Sequence, residues 1–335
     1  MRHSLTALFC LAFTLGLPAA PPPAEPAYAP PRPPDAEYGR GLTPAEARAG
    51  WVSLFDGRST FGWTGASFAD RLLAGGTSTL ALPACDIRAE AVHGGELVWG
   101  ARRFALQPGA FAARVDAPGA ATIRLGAGLT LRALTVRPPQ PRELDLSDPQ
   151  NWKLIPHPSL PRDRQATWQA VPDHKALRAV RGPGCVELPG AYADFVLQVE
   201  VTCLKPLTNA GVFFRSRPGD FLNGYEAQIF NGCFGGDPDR PALYATGAID
   251  KRQNSRGVVS RDGEPFTLTV IAAGAHVATW VNGVQQTDWT DTRPPNDNAR
   301  QGLRLKAGPI QLQAHDAGTD VEYSNFRIAE IAAEK

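Results

Sequence analysis

Beyond its initiator the chain has no methionine, and past the first 20 residues it has no apolar run long enough to cross a bilayer. A dominant sign of charge is also missing: 34 Lys and Arg offset 33 Asp and Glu, leaving +1 over 335 residues. That balance excludes the basic surface that a nucleic acid or an anionic membrane would need. Paired CxxC units are absent, which argues against a structural zinc site. So are a G-x-S-x-G elbow, an H-E-x-x-H helix and a phosphate loop. Helical periodicity is scarce as well.

Abundant instead are glycine (33) and proline (31), a composition of short strands joined by many turns. The N-terminus MRHSLTALFCLAFTLGLPAA carries Arg2 and His3, an apolar stretch from Leu5 to Leu17, then small residues. Residues 1–29 read as an export signal, cleaved after Ala20 or Ala29, because about 13 apolar residues are too few for a membrane anchor. The expected location is therefore periplasmic or extracellular. Nine prolines between residues 18 and 34 dictate an extended spacer. Residues 30–50 read as this Pro-rich linker followed by a short helix in LTPAEARAG, with Thr43 as N-cap, Pro44 at the first helical position and Gly50 beyond the end. Four cysteines lie past the leader: Cys85, Cys185, Cys203 and Cys233. In an oxidising compartment they permit two disulfides, although Cys203, ending an apolar strand, equally suits a small buried residue.

From Trp51 onward the pattern is strands. AATIRLGAGLTLRALTVRP alternates apolar and polar residues and breaks at Gly126 and Gly128, which predicts a hairpin. Prolines 138, 139 and 141 mark a boundary between a small β-rich module, 51–140, and a larger unit, 144–332. In the larger unit, strands recur at DFVLQVEVTCL, NAGVFFRS, GYEAQIF, PFTLTVIAAGAHVATWVNGVQQTDW, QGLRLKAGPIQLQAH and VEYSNFRIAEI. Such a series predicts an all-β, antiparallel two-sheet sandwich.

Three of these strands share a peculiarity. Tyr225, Ala227 and Ile229 alternate with Glu226, Gln228 and Phe230; Ile310, Leu312 and Ala314 alternate with Gln311, Gln313 and His315; Gly211, Phe213 and Arg215 fall together. An ordinary wetted face is one reading. Yet a face of Arg, Glu, two Gln, His and Phe offers the amides, guanidinium and ring that a sugar's hydroxyls and apolar face require. Plainer roles compete: Arg215 can pair with Glu226 across the sheet, His315 can cap the turn HDAGTD, and Lys251 can be a solvated loop residue. Asp316 and Asp320 can form an ordinary turn or contribute to a calcium site. A glycosidase working by double displacement needs two carboxylates, and the strand supplies Glu226 alone, with Asp250 available from a loop.

LFDGRSTFGW, NAGVFFR, GYEAQI, VATWVNGVQQTDW and GPIQLQAHDAGTDVEYSNFRI resemble, in order, the motifs of the 3-keto-disaccharide hydrolase domain family. The close resemblance covers residues 144–332, with LFDG displaced far upstream. It implies a concanavalin A-like (lectin/glucanase) sandwich, or jelly roll, that cleaves 3-keto-glycosides. A ketone at C3 acidifies the C2 hydrogen, so one base can form an enolate and expel the group at C1. Adding water to the resulting alkene then completes net hydrolysis. The resemblance implies Glu226 or His315 as base and Arg215 or Lys251 as enolate stabiliser. Gln228 and Gln313 would orient hydroxyls, with Asn209, Phe213 and Asp250 as further substrate contacts. No metal or other cofactor is required. The rival is a carbohydrate-binding module with the same cleft and no turnover.

Overall fold

The computed structural model describes residues 28–30, 42–80, 82–116, 121–138 and 142–331. Most of the expected leader and linker lies outside these residues. Tyr28–Ala29 is the exception: it forms a two-residue strand on Cys233–Phe234, and the Tyr28 ring packs on Phe230 and Phe234. The helix Pro44–Arg48 forms as its sequence dictates. Thr43 Oγ1 accepts from the Glu46 N–H at 3.2 Å while Glu46 Oε2 accepts from the Thr43 N–H at 3.0 Å, a reciprocal capping box.

Apart from three single-turn 3-10 helices, Pro149–Asn151, Arg162–Arg164 and Pro172–His174, the remaining regular structure among the described residues is β. Residues 142–331 build two antiparallel sheets face to face. The eight-stranded sheet runs Thr167–Val171, Ala176–Val180, Asp320–Glu330, Phe195–Cys203, Phe266–Ala273, His276–Val281 and Val284–Thr290, with Arg142–Leu144 also paired to Asp320–Glu330. The five-stranded sheet runs Lys153–Leu154, Gly184–Glu187, Gln311–Ala314, Ala210–Phe214 and Tyr225–Ile229. Period-two alternation sends Leu197, Val199, Val201, Leu268 and Val270 from one sheet against Val212, Ala227, Ile229 and Leu312 from the other, closing one dry core.

Residues 52–137 form a second unit of two smaller sheets. The hairpin predicted around Gly126 and Gly128 is not there. Ile123–Leu125 belongs to one sheet of this unit and Thr130–Arg137 to the other, so the turn passes the chain between layers. At the crossing Leu129 lies close against Gly95, where a Cβ would meet the Leu129 backbone nitrogen at 2.6 Å.

The two units share a core. Val196, Ile271, Ala278 and Trp280, on the outer face of the eight-stranded sheet, pack with Val52, Phe55, Leu134 and Val136. Trp280 Nε1 donates to Ser53 O at 2.9 Å, and Gln198 Nε2 donates to Gly50 O at 2.9 Å. Cys85, Cys185 and Cys203 are buried thiols, so the two-disulfide framework is not formed. Cys85 and Cys203 belong to the two apolar clusters, where a thiol packs as a small hydrophobe. Burial pushes the Cys185 thiol up to about 12 and leaves it unreactive.

Because one apolar cluster spans both units, chemical denaturation should give a single transition followed by two probes, far-UV dichroism and tryptophan fluorescence. Trp280→Ala should lower stability by about 3–5 kcal/mol. Separate melting of the N-terminal unit would contradict this shared core.

Candidate active site

The N-terminal unit covers part of the eight-stranded sheet's outer face, whereas the outer face of the five-stranded sheet carries a cavity of about 500 Å³, a size suited to a small glycoside. Its polar floor comes from Glu226 and Gln228, Phe213, and Gln313, on three adjacent strands. Asn209 and His315 stand at the ends of two of these strands, Asp250 and Lys251 come from one loop, and Arg300 from another. Phe221, Leu222, Leu243 and Tyr244 make apolar lips. A wider groove of about 930 Å³ lies on the other sheet beside the helix, and none of the candidate residues lines it.

Glu226 is 6% exposed. Burial is the largest cause of its shift, the Asp250 carboxylate adds to it, and Arg300 and Lys251 oppose it. Together they push the Glu226 carboxyl up to about 8. Arg300 bridges the two acids, Nη1 standing 3.3 Å from Glu226 Oε2 and Nη2 3.1 Å from Asp250 Oδ2. Its guanidinium also lies over the Phe213 ring at 5.6 Å.

Backbone pairing sets this arrangement. The Asp250 N–H donates to Glu226 O at 3.0 Å and the Gln228 N–H donates to Ala248 O at 3.0 Å, so residues 247–250 run along the edge of Tyr225–Ile229. The loop bearing Arg300 is stapled from within. Arg293 binds Asp291 through two nitrogens and donates to Ala299 O and Gly302 O; Arg252 Nη2 donates to Arg300 O at 2.6 Å. Tyr225, on the core side of Glu226's own strand, ties this loop down by donating to Asp291 Oδ2 at 2.8 Å.

Gly211 opens the space in which the acid lies. A Cβ there would stand 2.6 Å from Glu226 Oε1 and 3.1 Å from Gln313 Oε1. Gln313 Oε1 is buried without a hydrogen-bond partner among the described residues. Gln228 Nε2 donates to Asn209 Oδ1 at 2.9 Å, which fixes both amides.

Of the residues singled out from sequence, Asn209, Phe213, Glu226, Gln228, Asp250, Lys251, Gln313 and His315 all line the cavity. Arg215 does not. Its φ of +48° ends the alternation after Phe214 and turns the side chain inward. There Nε donates to Ala193 O at 2.6 Å, Nη1 to Arg304 O at 3.2 Å and Nη2 to Asp194 Oδ1 at 2.9 Å, a structural clamp with no access to ligand. Arg300 supplies the cation in its place, and it lies on an irregular loop with no strand periodicity to mark it. His315 stands at the rim, half exposed, with Nδ1 3.0 Å from Asp316 Oδ2. The suggested calcium site is not built: Arg178 holds both oxygens of Asp320, and Asp316 Oδ1 accepts from the Gly318 N–H within its own turn. No cluster of three or more metal-ligating side chains occurs among the described residues.

Residues 151–329, more than half of the chain, match the family described as the 3-keto-alpha-glucoside-1,2-lyase-like domain. The chain belongs to this family. Each cavity residue of this 3-keto-glucoside lyase-like domain lies within the matched span. Comparison with curated proteins gives no match. Among solved structures, one similar protein is provisionally called a glycosyl hydrolase from Parabacteroides distasonis ATCC 8503, 22% identical over 54% of this chain and 99% of its own, with a TM-score of 0.40. A second of that description and organism is 16% identical over 55% and 90%, TM-score 0.41. A third is the carbohydrate-binding module CBM66 from Bacillus subtilis, 12% identical over 54% and 96%, TM-score 0.36.

Two outcomes are expected for the domain itself. Gly211→Ala forces its methyl into Glu226 and Gln313, so it should abolish ligand binding measured by calorimetry while the dichroism spectrum stays native. Glu226 holds its proton in the folded chain up to about pH 8 and in the unfolded chain only to its ordinary 4.5. Folding therefore binds a proton in that window, and stability falls as pH rises from 4.5 through 8. Glu226→Gln should match wild type near pH 4 and exceed it by a few kcal/mol at pH 9, read from urea midpoints at each pH.

Proposed function

We propose that the protein cleaves the glycosidic bond of 3-keto-glucosides by elimination across C1 and C2. One observation carries this reading: a single buried carboxyl, lifted to about 8, sits on the cavity floor with a guanidinium against it. Ionised Glu226 takes the C2 proton, the electron pair moves into the C3 carbonyl, and the enolate oxygen falls to Arg300 and Lys251. Collapse of the enolate forms the C1–C2 double bond and expels the C1 oxygen, which leaves as an alcohol once protonated. Water added across that double bond then gives net hydrolysis. Gln228, Asn209 and Gln313 hold ring hydroxyls, Phe213 with Phe221, Leu222, Leu243 and Tyr244 contacts apolar faces, and His315 at the rim is placed to serve the leaving group.

A base with its pKa near the working pH is what such a step needs. We also place this activity outside the cytoplasm, on the strength of the apolar leader between Arg2 and Ala20. Buried, unreactive thiols are compatible with an oxidising compartment.

The purified protein, given matched native and 3-keto disaccharides, should cleave the keto sugar only, and Glu226→Gln should lower kcat at least about 1,000-fold. The kcat for the keto sugar should climb roughly tenfold between pH 7 and 9 as Glu226 ionises. Cleavage of both sugars alike would refute elimination, and tight binding of the keto sugar with no product would make the domain a carbohydrate-binding module instead.

A further inference from the structure

Among the described residues none of the N-terminal unit lines the cavity, yet that unit grips the loop that supplies Asp250 and Lys251. Asp56, in the LFDG turn, is 9% exposed at its side chain and ion-pairs with Arg256. Its other bonds are local: Oδ1 accepts from the Arg58 N–H at 2.7 Å and the Ser59 N–H at 2.8 Å, and Oδ2 accepts from Ser59 Oγ at 2.8 Å. Arg256 is held on every side, with Phe61 4.3 Å below its guanidinium, Ser59 Oγ 3.1 Å from Nη2 and Gln285 O 3.4 Å from Nη1.

A second contact runs parallel. Thr79 Oγ1 donates to the Asp288 carboxylate at 2.8 and 2.9 Å, and His276 Nε2 lies 2.7 Å from its Oδ1. The Asp288 N–H donates in turn to Gln253 Oε1 at 2.9 Å. Gln253 closes the turn around Asp250: its N–H donates to Ile249 O and its carbonyl accepts from the Ile249 N–H, both at 3.0 Å. Both ends of the segment 249–256 are thus tied down, one at the edge of the Glu226 strand and the other in the N-terminal unit.

We propose that Asp56 is a positioning residue for the active site: by anchoring Arg256 it fixes the 249–256 loop, and with it Asp250 and the Arg300 bridge, against Glu226. The physical case is one of loop entropy. A surface segment anchored at one end samples many conformers, and fixing the far end removes them before substrate arrives. Charge complementarity strengthens the anchor. Burial alone would raise the Asp56 carboxyl, but the Arg58 amide, the Arg256 guanidinium and the Ser59 hydroxyl outweigh it and hold the group below its ordinary value, so it stays ionised opposite Arg256. The N-terminal unit is on this view a brace whose effect reaches the cavity through one ion pair and one hydrogen-bonded aspartate.

This inference rests on the reading of the cavity as catalytic only for its rate effect, so the test has two arms. In the full chain, Asp56→Asn and Arg256→Gln should each speed amide hydrogen exchange of residues 249–253 at least tenfold, with Phe195–Cys203 and Asp320–Glu330 unchanged. Arg88→Gln, which cuts the Arg88–Glu46 pair elsewhere on the unit, should change neither. In the second arm, either variant should lower kcat on a 3-keto disaccharide about tenfold with KM within twofold, and the double variant should be no worse than one alone. Unchanged exchange in the loop of folded Arg256→Gln, or additive losses in the double variant, overturns the proposal. If wild type cleaves no 3-keto sugar, the exchange arm still decides it, and only the proposed reaction fails.

Discussion

Along residues 195–199 neither set of side chains is left idle. Leu197, Val199 and Val201 meet the five-stranded sheet, while Val196 packs under the N-terminal unit and Gln198 binds the Gly50 carbonyl. Where the N-terminal unit covers it, the eight-stranded sheet has no free face, and only its far end, around Glu200, Thr202, Glu322 and Ser324, opens into a groove. On the five-stranded sheet the inner set closes the core and the outer set is free to be polar.

Freedom to be polar is not freedom from cost. Glu226 and Asp250 carry two carboxyls against one bridging guanidinium, and burial disfavours charge on Glu226. Burial and the Asp250 carboxylate favour the protonated form, while Arg300 and Lys251 oppose them. A carboxyl that gives up its proton only near pH 8 is a stronger base once ionised, which is the property a general base needs. The Arg293 staple and the Tyr225–Asp291 bond keep Arg300 from relaxing toward solvent.

Much of this was legible in advance because strands obey a period of two. The alternation of Glu226 and Gln228 with Tyr225, Ala227 and Ile229, and of Gln313 with Leu312 and Ala314, separates cavity from core without any knowledge of pairing. The same rule misplaced Arg215, because alternation fails once a residue adopts positive φ, and nothing in FFRSRPG announces that change at Arg215 rather than at Gly219. Arg300 was invisible for a different reason: it lies on an irregular loop 74 residues from Glu226, and irregular loops have no period to read. At the layer change between Ile123–Leu125 and Thr130–Arg137, Leu129 likewise lies against Gly95, a packing contact between segments distant in sequence.

The geometry also separates two chemistries that carbohydrate enzymes use. Double displacement asks for one carboxyl to attack C1 and another, kept apart from it, to protonate the leaving oxygen. Here both carboxyls bind the same guanidinium instead of standing apart. A shared guanidinium suits the proposed elimination, in which one proton would be removed beside one developing oxyanion. In the proposed elimination the negative charge would pass from Glu226 to the enolate with Arg300 beside Glu226, and the net charge of the cluster plus substrate would stay constant. A low-dielectric site favours reactions that move charge between neighbours over those that create it.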